Sequence, residues 1–192
     1  AFTDDNLAVI NDAAFTGLST KTIAGLTASK ITALTSDQTA ALDSDQILAL
    51  KSNQIQALEA EDLNAFEEGE INALTKKFIQ ALTSTQINNL SSEQLQLLSA
   101  DQIAYLTQDQ VSNLSTDQLN LLTADQISAL TTKQVGWMSS NQLSKLATSS
   151  LVELGTNQIA KLTTAQLNNL TTTQLSNLTQ EQVLGLSSAQ LR

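Results

Sequence analysis

The side chains that carry most enzyme chemistry are absent from this sequence. Its 192 residues include no His and no Cys, so imidazole catalysis, a thiol nucleophile and a disulfide are all excluded. The usual zinc ligands are missing for the same reason. No Gly-rich phosphate loop and no nucleophile elbow occurs among the Ser, Thr and Lys residues that remain. The sequence predicts a protein that is not an enzyme and holds no cofactor.

Acidic residues recur at a fixed spacing, as in Asp101, Asp109, Asp117 and Asp125. A calcium site gathers several carboxylate and carbonyl oxygens around one ion, whereas one carboxylate in every eight residues makes a poor cage. Negative charge in the first turn of a helix is favourable by about 0.3–1 kcal/mol. We therefore interpret these acids as helix-start residues, with a metal role as the alternative, and expect no metal site.

Two further groups of residues are candidates for binding another protein. The run of Glu67, Glu68, Gly69 and Glu70 is the densest acidic stretch, and Tyr105 and Trp137 are large aromatic groups in a chain with 3% aromatic residues. Aromatic side chains are frequent binding hot spots, although most of them fill space in a core. The candidate protein-binding residues are Glu67, Glu68, Glu70, Tyr105 and Trp137. The alternative is that the acidic run is a solvated segment and that the two aromatic side chains only fill space in the core.

An eight-residue repeat fills the chain and is the pattern that must position these residues. Counted in octads from Thr3, the repeat reads Thr/Ser-x-x-Gln-Ile/Leu-x-x-Leu without insertion or deletion to Arg192. Gln occupies position four in 16 octads, and position five is aliphatic or Phe in every octad except the one that carries Thr39. Such a repeat indicates one structural unit per octad.

The period of eight favours a short helix that restarts in every octad. Positions five and eight would fall on opposite faces of a strand, and on one continuous helix the apolar stripe would rotate by about 80° with each octad. Ser or Thr followed three residues later by Gln is instead a capping box, as in Thr107 with Gln110. Burial in one octad cannot offset its chain entropy, so the octads must stack. The predicted fold is an all-α superhelical solenoid of short helices, one per 8-residue repeat.

We expect residues 1–192 to form a single solenoid, a fragment of a longer array. Residues 59–78 and residues 147–155 depart from the repeat, because acidic residues or Phe replace the Gln in the first segment and Ala147 and Ser150 replace the cap and the Gln in the second. For the first segment we predict a solvated helical stretch that bends or joins two segments, with one continuous helix as one form of it and a partner or cation site as the alternative. For the second segment we predict a local irregularity.

In-phase arrays such as Leu106-Thr107-Gln108-Asp109-Gln110-Val111 resemble the low-complexity repeat regions of very large bacterial secreted or surface proteins, including adhesin-like ones. The resemblance covers the whole chain and implies an extracellular or cell-surface location without catalytic residues. The expected function is a structural spacer, stalk or scaffold, and the alternative is a protein- or peptide-binding solenoid for adhesion or effector interaction.

The expected partners are another protein or neighbouring repeats of the same chain. A net charge of −10 argues against nucleic acid, which selects a positive surface. No apolar run approaches the ~20 residues of a membrane span, so no membrane insertion is expected.

Overall fold

Helices account for all the regular secondary structure that the computed structural model describes, namely in Leu7 and residues 9–192. Within those residues there is one 3-10 helix, Asp12–Ala14, followed by 21 short α-helices, and there is no strand. The predicted all-α class is confirmed.

The chain divides into two compact units, Ala1–Leu98 and Ser99–Arg192. The α-helices of the first unit are Thr20–Ala24, Ala28–Thr32, Ser36–Ala40, Ser44–Leu48, Ser52–Ile55, Ala60–Asn64, Glu68–Ala73, Lys76–Ala81, Ser84–Asn88 and Ser92–Leu97. The α-helices of the second unit are Ala100–Ala104, Gln108–Ser112, Thr116–Leu121, Ala124–Ala129, Thr132–Trp137, Ser140–Lys145, Thr148–Val152, Thr156–Ile159, Thr164–Asn168, Thr172–Ser176 and Gln180–Leu184.

Each α-helix begins at position two of its octad and is capped by the residue at position one. The cap is extended, as at Thr107 with φ −77° and ψ 169°, and its hydroxyl accepts a hydrogen bond from the N–H three residues later. The described residues contain no positive φ angle, so the bends are made at the extended caps. Each of the described α-helices is four to six residues long.

The apolar columns at positions five and eight form the core of each unit. Ile103 and Leu143 at position five are 0% exposed, and Leu106 at position eight is 5% exposed. Helices three octads apart pack on one another, for example Ser44–Leu48 on Glu68–Ala73 and Ala100–Ala104 on Ala124–Ala129. This regular stacking gives each unit the predicted solenoid architecture, with turns of more than three octads.

The first irregular segment is not one continuous helix, so the continuous form of the prediction is wrong. Residues 59–78 contain the short helices Ala60–Asn64 and Glu68–Ala73 and the start of Lys76–Ala81, separated by extended caps at Glu67 and Thr75. The octad phase persists because apolar residues still occupy positions five and eight, including Leu63 and Phe66.

Candidate functional site

A column of buried glutamines runs through both units at position four of the octads. Gln38 and Gln54 are 0% exposed and Gln134 is 1% exposed, although Gln is ordinarily a surface residue. A buried amide is costly unless all of its polar atoms find partners. The fold must therefore supply hydrogen-bond partners for the amide groups of these glutamines.

The carbonyl half of each amide acts locally, as the capping box predicts. In the octad that starts at Ser139, the backbone N–H of Ser139 donates to Oε1 of Gln142 over 2.8 Å. In return, the backbone N–H of Gln142 donates to Oγ of Ser139 over 3.1 Å. Two of the N–H groups that a helix start leaves without an intrahelical partner are satisfied in this way.

The amino half of the same amide acts between turns of the solenoid. Nε2 of Gln142 donates to the carbonyl oxygens of Val111 and Leu114, 31 and 28 residues earlier, over 2.8 Å each. The pair of acceptors occupies positions five and eight of an octad four repeats before the glutamine. Glutamines that make both of these bonds include Gln38, Gln46, Gln54, Gln86, Gln134, Gln142, Gln174 and Gln182.

This arrangement explains why very short helices are tolerated. The last carbonyls of any helix lack intrahelical donors, and in a helix of four to six residues they are most of the carbonyls present. The glutamine amino groups supply donors to two of them in each octad. Each bond contributes about 0.5–1.5 kcal/mol net, so one glutamine ties its octad to the preceding turn by a few kcal/mol.

In two octads, an asparagine of an earlier octad accepts from the N–H at position one, the group that a glutamine Oε1 accepts from in regular octads. In the second irregular segment, the backbone N–H of Ala147 donates to Oδ1 of Asn120 over 2.7 Å, and Nδ2 of Asn120 donates to the carbonyl of Lys145 over 3.0 Å. Asn64 makes the same two bonds in the first unit, with the N–H of Ser91 at 2.8 Å and the carbonyl of Asn89 at 3.1 Å. The helix Thr148–Val152 forms although its cap Ala147 makes no side-chain bond.

A buried carboxylate replaces the amide in the first irregular segment. Asp62 is 3% exposed, its Oδ2 accepts from the N–H of Glu59 over 2.9 Å, and a side-chain hydrogen bond links it to Thr39. Thr39 is the polar residue at position five, and it is 0% exposed. Thr39 and Asp62, which both differ from the repeat consensus, are therefore hydrogen-bonded to each other in the core. Burial raises the pKa of Asp62, the bonds to Glu59 and Thr39 oppose that shift, and the charges of Glu59 and Glu61 add to it.

Phe78 also stands where the repeat has Gln, and its side chain has no polar atom that could make the glutamine bonds. Its side chain is 2% exposed and its ring packs against the ring of Phe66, with centroids 6.5 Å apart and planes tilted by 59°. An apolar contact replaces the amide bonds in this octad. Tilted aromatic pairs at this separation are favourable.

The acidic run does not converge on one point. Glu67 and Glu68 are exposed, and Oε2 of Glu70 accepts from the backbone N–H of Glu67 over 3.0 Å, so Glu70 serves as a local cap partner. Among the described residues, no group of three or more acidic residues is placed to hold a metal ion. The position-three acids Asp101, Asp109, Asp117 and Asp125 each lie in the first turn of their helix, as predicted.

The aromatic candidates Tyr105 and Trp137 are both half-buried in the second unit. Trp137 ends the helix Thr132–Trp137, and its backbone carbonyl accepts from Oγ of Ser112 over 3.3 Å. Tyr105 is the C-cap of Ala100–Ala104. The ring contact found within the described part of the chain is that of Phe66 with Phe78, so no aromatic cluster joins Tyr105 to Trp137. Their role in binding stays a prediction.

Sequence reasoning recognised the glutamines as caps but missed their bonds to the preceding turn. Those bonds join octads four repeats apart, and the local pattern of the octads does not say which octads meet.

None of the helices that the structure describes has the length and apolar character needed to cross a bilayer. No curated protein matches the chain. Residues 79–108 and residues 135–172 match the ALTTAQ repeat. The stretch Leu162-Thr163-Thr164-Ala165-Gln166 reproduces the last five letters of that name and ends on a glutamine whose Nε2 donates to the carbonyl of Met138 over 2.7 Å. The chain thus contains an α-helical repeat region that is similar, over these two segments, to the ALTTAQ repeat.

Proposed function

We propose that this chain is a non-catalytic spacer, stalk or scaffold within a large bacterial surface or secreted protein. The observation that carries the proposal is the recurrence of one set of glutamine bonds within each unit, from Gln38 and Gln86 to Gln134 and Gln182, with acceptors 31 and 28 residues before each glutamine. An enzyme needs one place that differs from all others, whereas a spacer needs equivalent units whose number sets its size.

Composition and charge fit this role. The outward positions are rich in Ser, Thr, Asn and Asp, and the net charge of −10 keeps such arrays soluble. The absence of Cys makes the fold independent of the redox state of its surroundings. The extracellular or cell-surface location rests on the resemblance of the octads to repeat regions of bacterial surface proteins.

Changing the number of octads tests the spacer role. Variants of the parent protein that lack residues 107–114, or that carry this octad twice, should fold and keep the parent's function, while the distance between the parts flanking the repeat changes in the same sense as the octad count. Circular dichroism checks the fold, and fluorescence energy transfer between labels on the flanking parts measures the distance. Loss of function on removal of one octad, with the fold intact and the distance changed, would contradict a spacer.

A binding module is the second candidate, and the half-exposure of Trp137 favours it. Aromatic side chains that are only partly covered in the free protein supply much of the energy of many interfaces. Trp137→Ala should then abolish adhesion or capture of the partner, whereas Leu121→Ala, at an equivalent octad position and 36% exposed, should leave it unchanged. Unchanged adhesion in both variants would leave the spacer as the better account.

A further inference from the structure

One octad inside the second unit has no glutamine at position four. It begins at Ala147, and Ser150 stands where the repeat has Gln. In the regular octads the glutamine amino group donates to the carbonyls 31 and 28 residues earlier, which for residue 150 are those of Leu119 and Leu122. A serine side chain is too short to reach them. Within the described part of the chain, neither carbonyl accepts a hydrogen bond from a side chain.

An open concavity of about 230 Å³ lies where this octad faces the earlier turn. Leu122 and Ser150 are both among its walls, and so are Asn120, Ala124 and Glu153. Leu122 is 6% exposed, whereas Glu153 is exposed at the surface. The concavity therefore brings a residue with a buried carbonyl and a residue with a solvated carboxylate to one space that is open to solvent.

Only the donor half of the missing amide is left for a ligand to supply. The acceptor half is already replaced, because the backbone N–H of Ala147 donates to Oδ1 of Asn120 over 2.7 Å. The amino group of Asn120 donates to the carbonyl of Lys145 over 3.0 Å. A primary ammonium group has three donors and no acceptor, whereas a carboxamide would add an oxygen that needs a further donor. The hydrogen bonds at this place therefore favour an ammonium group.

The charges at this place also favour a cation. Glu153 is the ionisable residue among those that line the concavity. Leu119 and Leu122 lie at the C-terminal end of the helix Thr116–Leu121, and the carbonyls at a helix end are frequent partners of lysine side chains. The net charge of −10 attracts cations to the chain as a whole.

We propose that this concavity binds a primary ammonium group on an unbranched alkyl chain, as carried by a lysine side chain of a partner or by a free alkylamine. The ammonium group takes the place of the glutamine amino group and donates to the carbonyls of Leu119 and Leu122, and the carboxylate of Glu153 balances its charge. The alkyl chain packs on Leu122 and Ala124. The proposal does not rest on the spacer role, which depends on the regular octads.

Titration of the full chain with n-butylammonium, which copies a lysine side chain, tests the proposal. The backbone amide NMR signals of Ala124, Ser149 and Ser150 report binding at the concavity. Ser150→Gln restores the repeat and fills the place of the ammonium group, and Ser176→Gln is the matched control at an exposed site of the same unit. Glu153→Gln removes the carboxylate. Tetramethylammonium has the charge without an N–H donor, and butyramide has the donor without the charge.

The natural chain should bind n-butylammonium with a roughly millimolar dissociation constant. Ser150→Gln should weaken binding at least about tenfold, and Ser176→Gln should leave it unchanged. Glu153→Gln should weaken it about two- to fivefold, because this carboxylate is exposed. Tetramethylammonium and butyramide should bind at least about fivefold more weakly than n-butylammonium.

The absence of shifts at the concavity, undiminished binding to Ser150→Gln, or equal binding of tetramethylammonium or butyramide overturns the proposal. Titration with N-acetyl-lysine amide then identifies the source of the ammonium group. Binding as tight as that of n-butylammonium assigns the site to a lysine side chain of a partner, and binding of n-butylammonium alone assigns it to a free alkylamine.

Discussion

The glutamine at position four links the local and the long-range structure of this protein. In Gln142, one carbonyl oxygen and one amino group make bonds to three backbone groups in two turns of the solenoid. A side chain of another type can replace one half of this function but not both. Ala147 and Gly155 show that the cap hydroxyl is dispensable, since their helices form without it. No residue within the same octad replaces the glutamine amino group, whose acceptors lie in the preceding turn.

Replacing Gln142 by Ala should therefore lower the free energy of unfolding by roughly 2–4 kcal/mol, because three bonds are lost and buried carbonyls remain without donors. Urea denaturation followed by circular dichroism measures the change. Gln108→Ala is the matched control, since Gln108 is an exposed glutamine in the same unit, and its effect should stay within about 0.5 kcal/mol. Equal effects of the two substitutions would show that the bonds from Gln142 to the preceding turn do not stabilise the fold.

Asp62 makes stability depend on pH in a predictable direction. Because burial raises its pKa in the folded state, the folded chain holds a proton that the unfolded chain has already lost as pH rises from the ordinary carboxyl pKa to the raised one. The stabilisation that goes with protonated Asp62 is fully present below the ordinary pKa and is lost through this window.

Asp62→Asn removes this titration and keeps the acceptor for the N–H of Glu59. The free energy of unfolding of Asp62→Asn relative to the natural chain should rise as the pH goes from about 4 to about 7, because only the natural chain loses stability at Asp62. Denaturation at several pH values gives the difference, in which the contributions of the other carboxyl groups cancel. A difference that is constant or falls over this range would mean that burial does not raise the pKa of Asp62.

At the scale of the element, the helices are too short to exist alone. Forming the first turn of a helix is unfavourable, and isolated helices below about 12 residues are marginal, so helices of four to six residues depend on their caps and on the neighbouring turns. In most octads the cap bond comes from a Ser or Thr hydroxyl at position one. In the octad of Ala147, Asn120, which lies four octads earlier, instead accepts from the N–H of Ala147, the position-one group that a glutamine Oε1 accepts from in regular octads.

Removing the hydroxyls of Thr107, Ser115 and Thr123 together by substitution with Ala should cost about 1.5–4 kcal/mol, at about 0.5–2 kcal/mol for each cap and some overlap. Each of these hydroxyls accepts from the N–H of the glutamine three residues later, over 3.3, 3.1 and 3.2 Å. Thermal denaturation measures the loss. An unchanged melting temperature would show that the glutamine half of the capping box is sufficient.

The reverse change should stabilise the second irregular segment. Ala147→Ser places a hydroxyl at an extended cap, where it can accept from the N–H of Ser150 while the N–H of residue 147 keeps its bond to Asn120. The expected gain in the free energy of unfolding is about 0.5–1 kcal/mol. Ser149→Ala, in the same helix but not at the cap, is the control and should not stabilise. A destabilising effect of Ala147→Ser would contradict the cap geometry.

At the scale of the whole molecule, the octads are not all interchangeable, because some hydrogen-bonded pairs of residues form only at a fixed separation along the chain. Asn120 and Ala147 meet only when the number of residues between them is kept. Removal of residues 131–138 separates this pair, whereas removal of residues 107–114 takes away another regular octad and leaves the pair in place.

We expect the variant without residues 131–138 to be less stable than the variant without residues 107–114 by about 1–3 kcal/mol, because the N–H of Ala147 loses its acceptor. Both variants keep the octad phase and lose one position-four glutamine, Gln134 or Gln110, so their comparison tests the asparagine pair. Urea denaturation of the two variants side by side gives the difference. Equal stability would mean that the Asn120 bonds contribute nothing beyond the regular stacking.

The octad phase, the helix starts and the apolar core follow from the sequence, because each depends on residues within a few positions of one another. Thr107 and Gln110 form their cap from local geometry, and Val111 and Leu114 lie on one helix stripe by their spacing. The pairing of Gln142 with Val111 and Leu114, of Asp62 with Thr39 and of Asn120 with Ala147 was decided by the tertiary structure. These partners are 23 to 31 residues apart, and which octads meet depends on the small bend at each junction summed over a whole turn. A repeat in the sequence fixes that the bends are alike, but only the folded chain fixes how large they are.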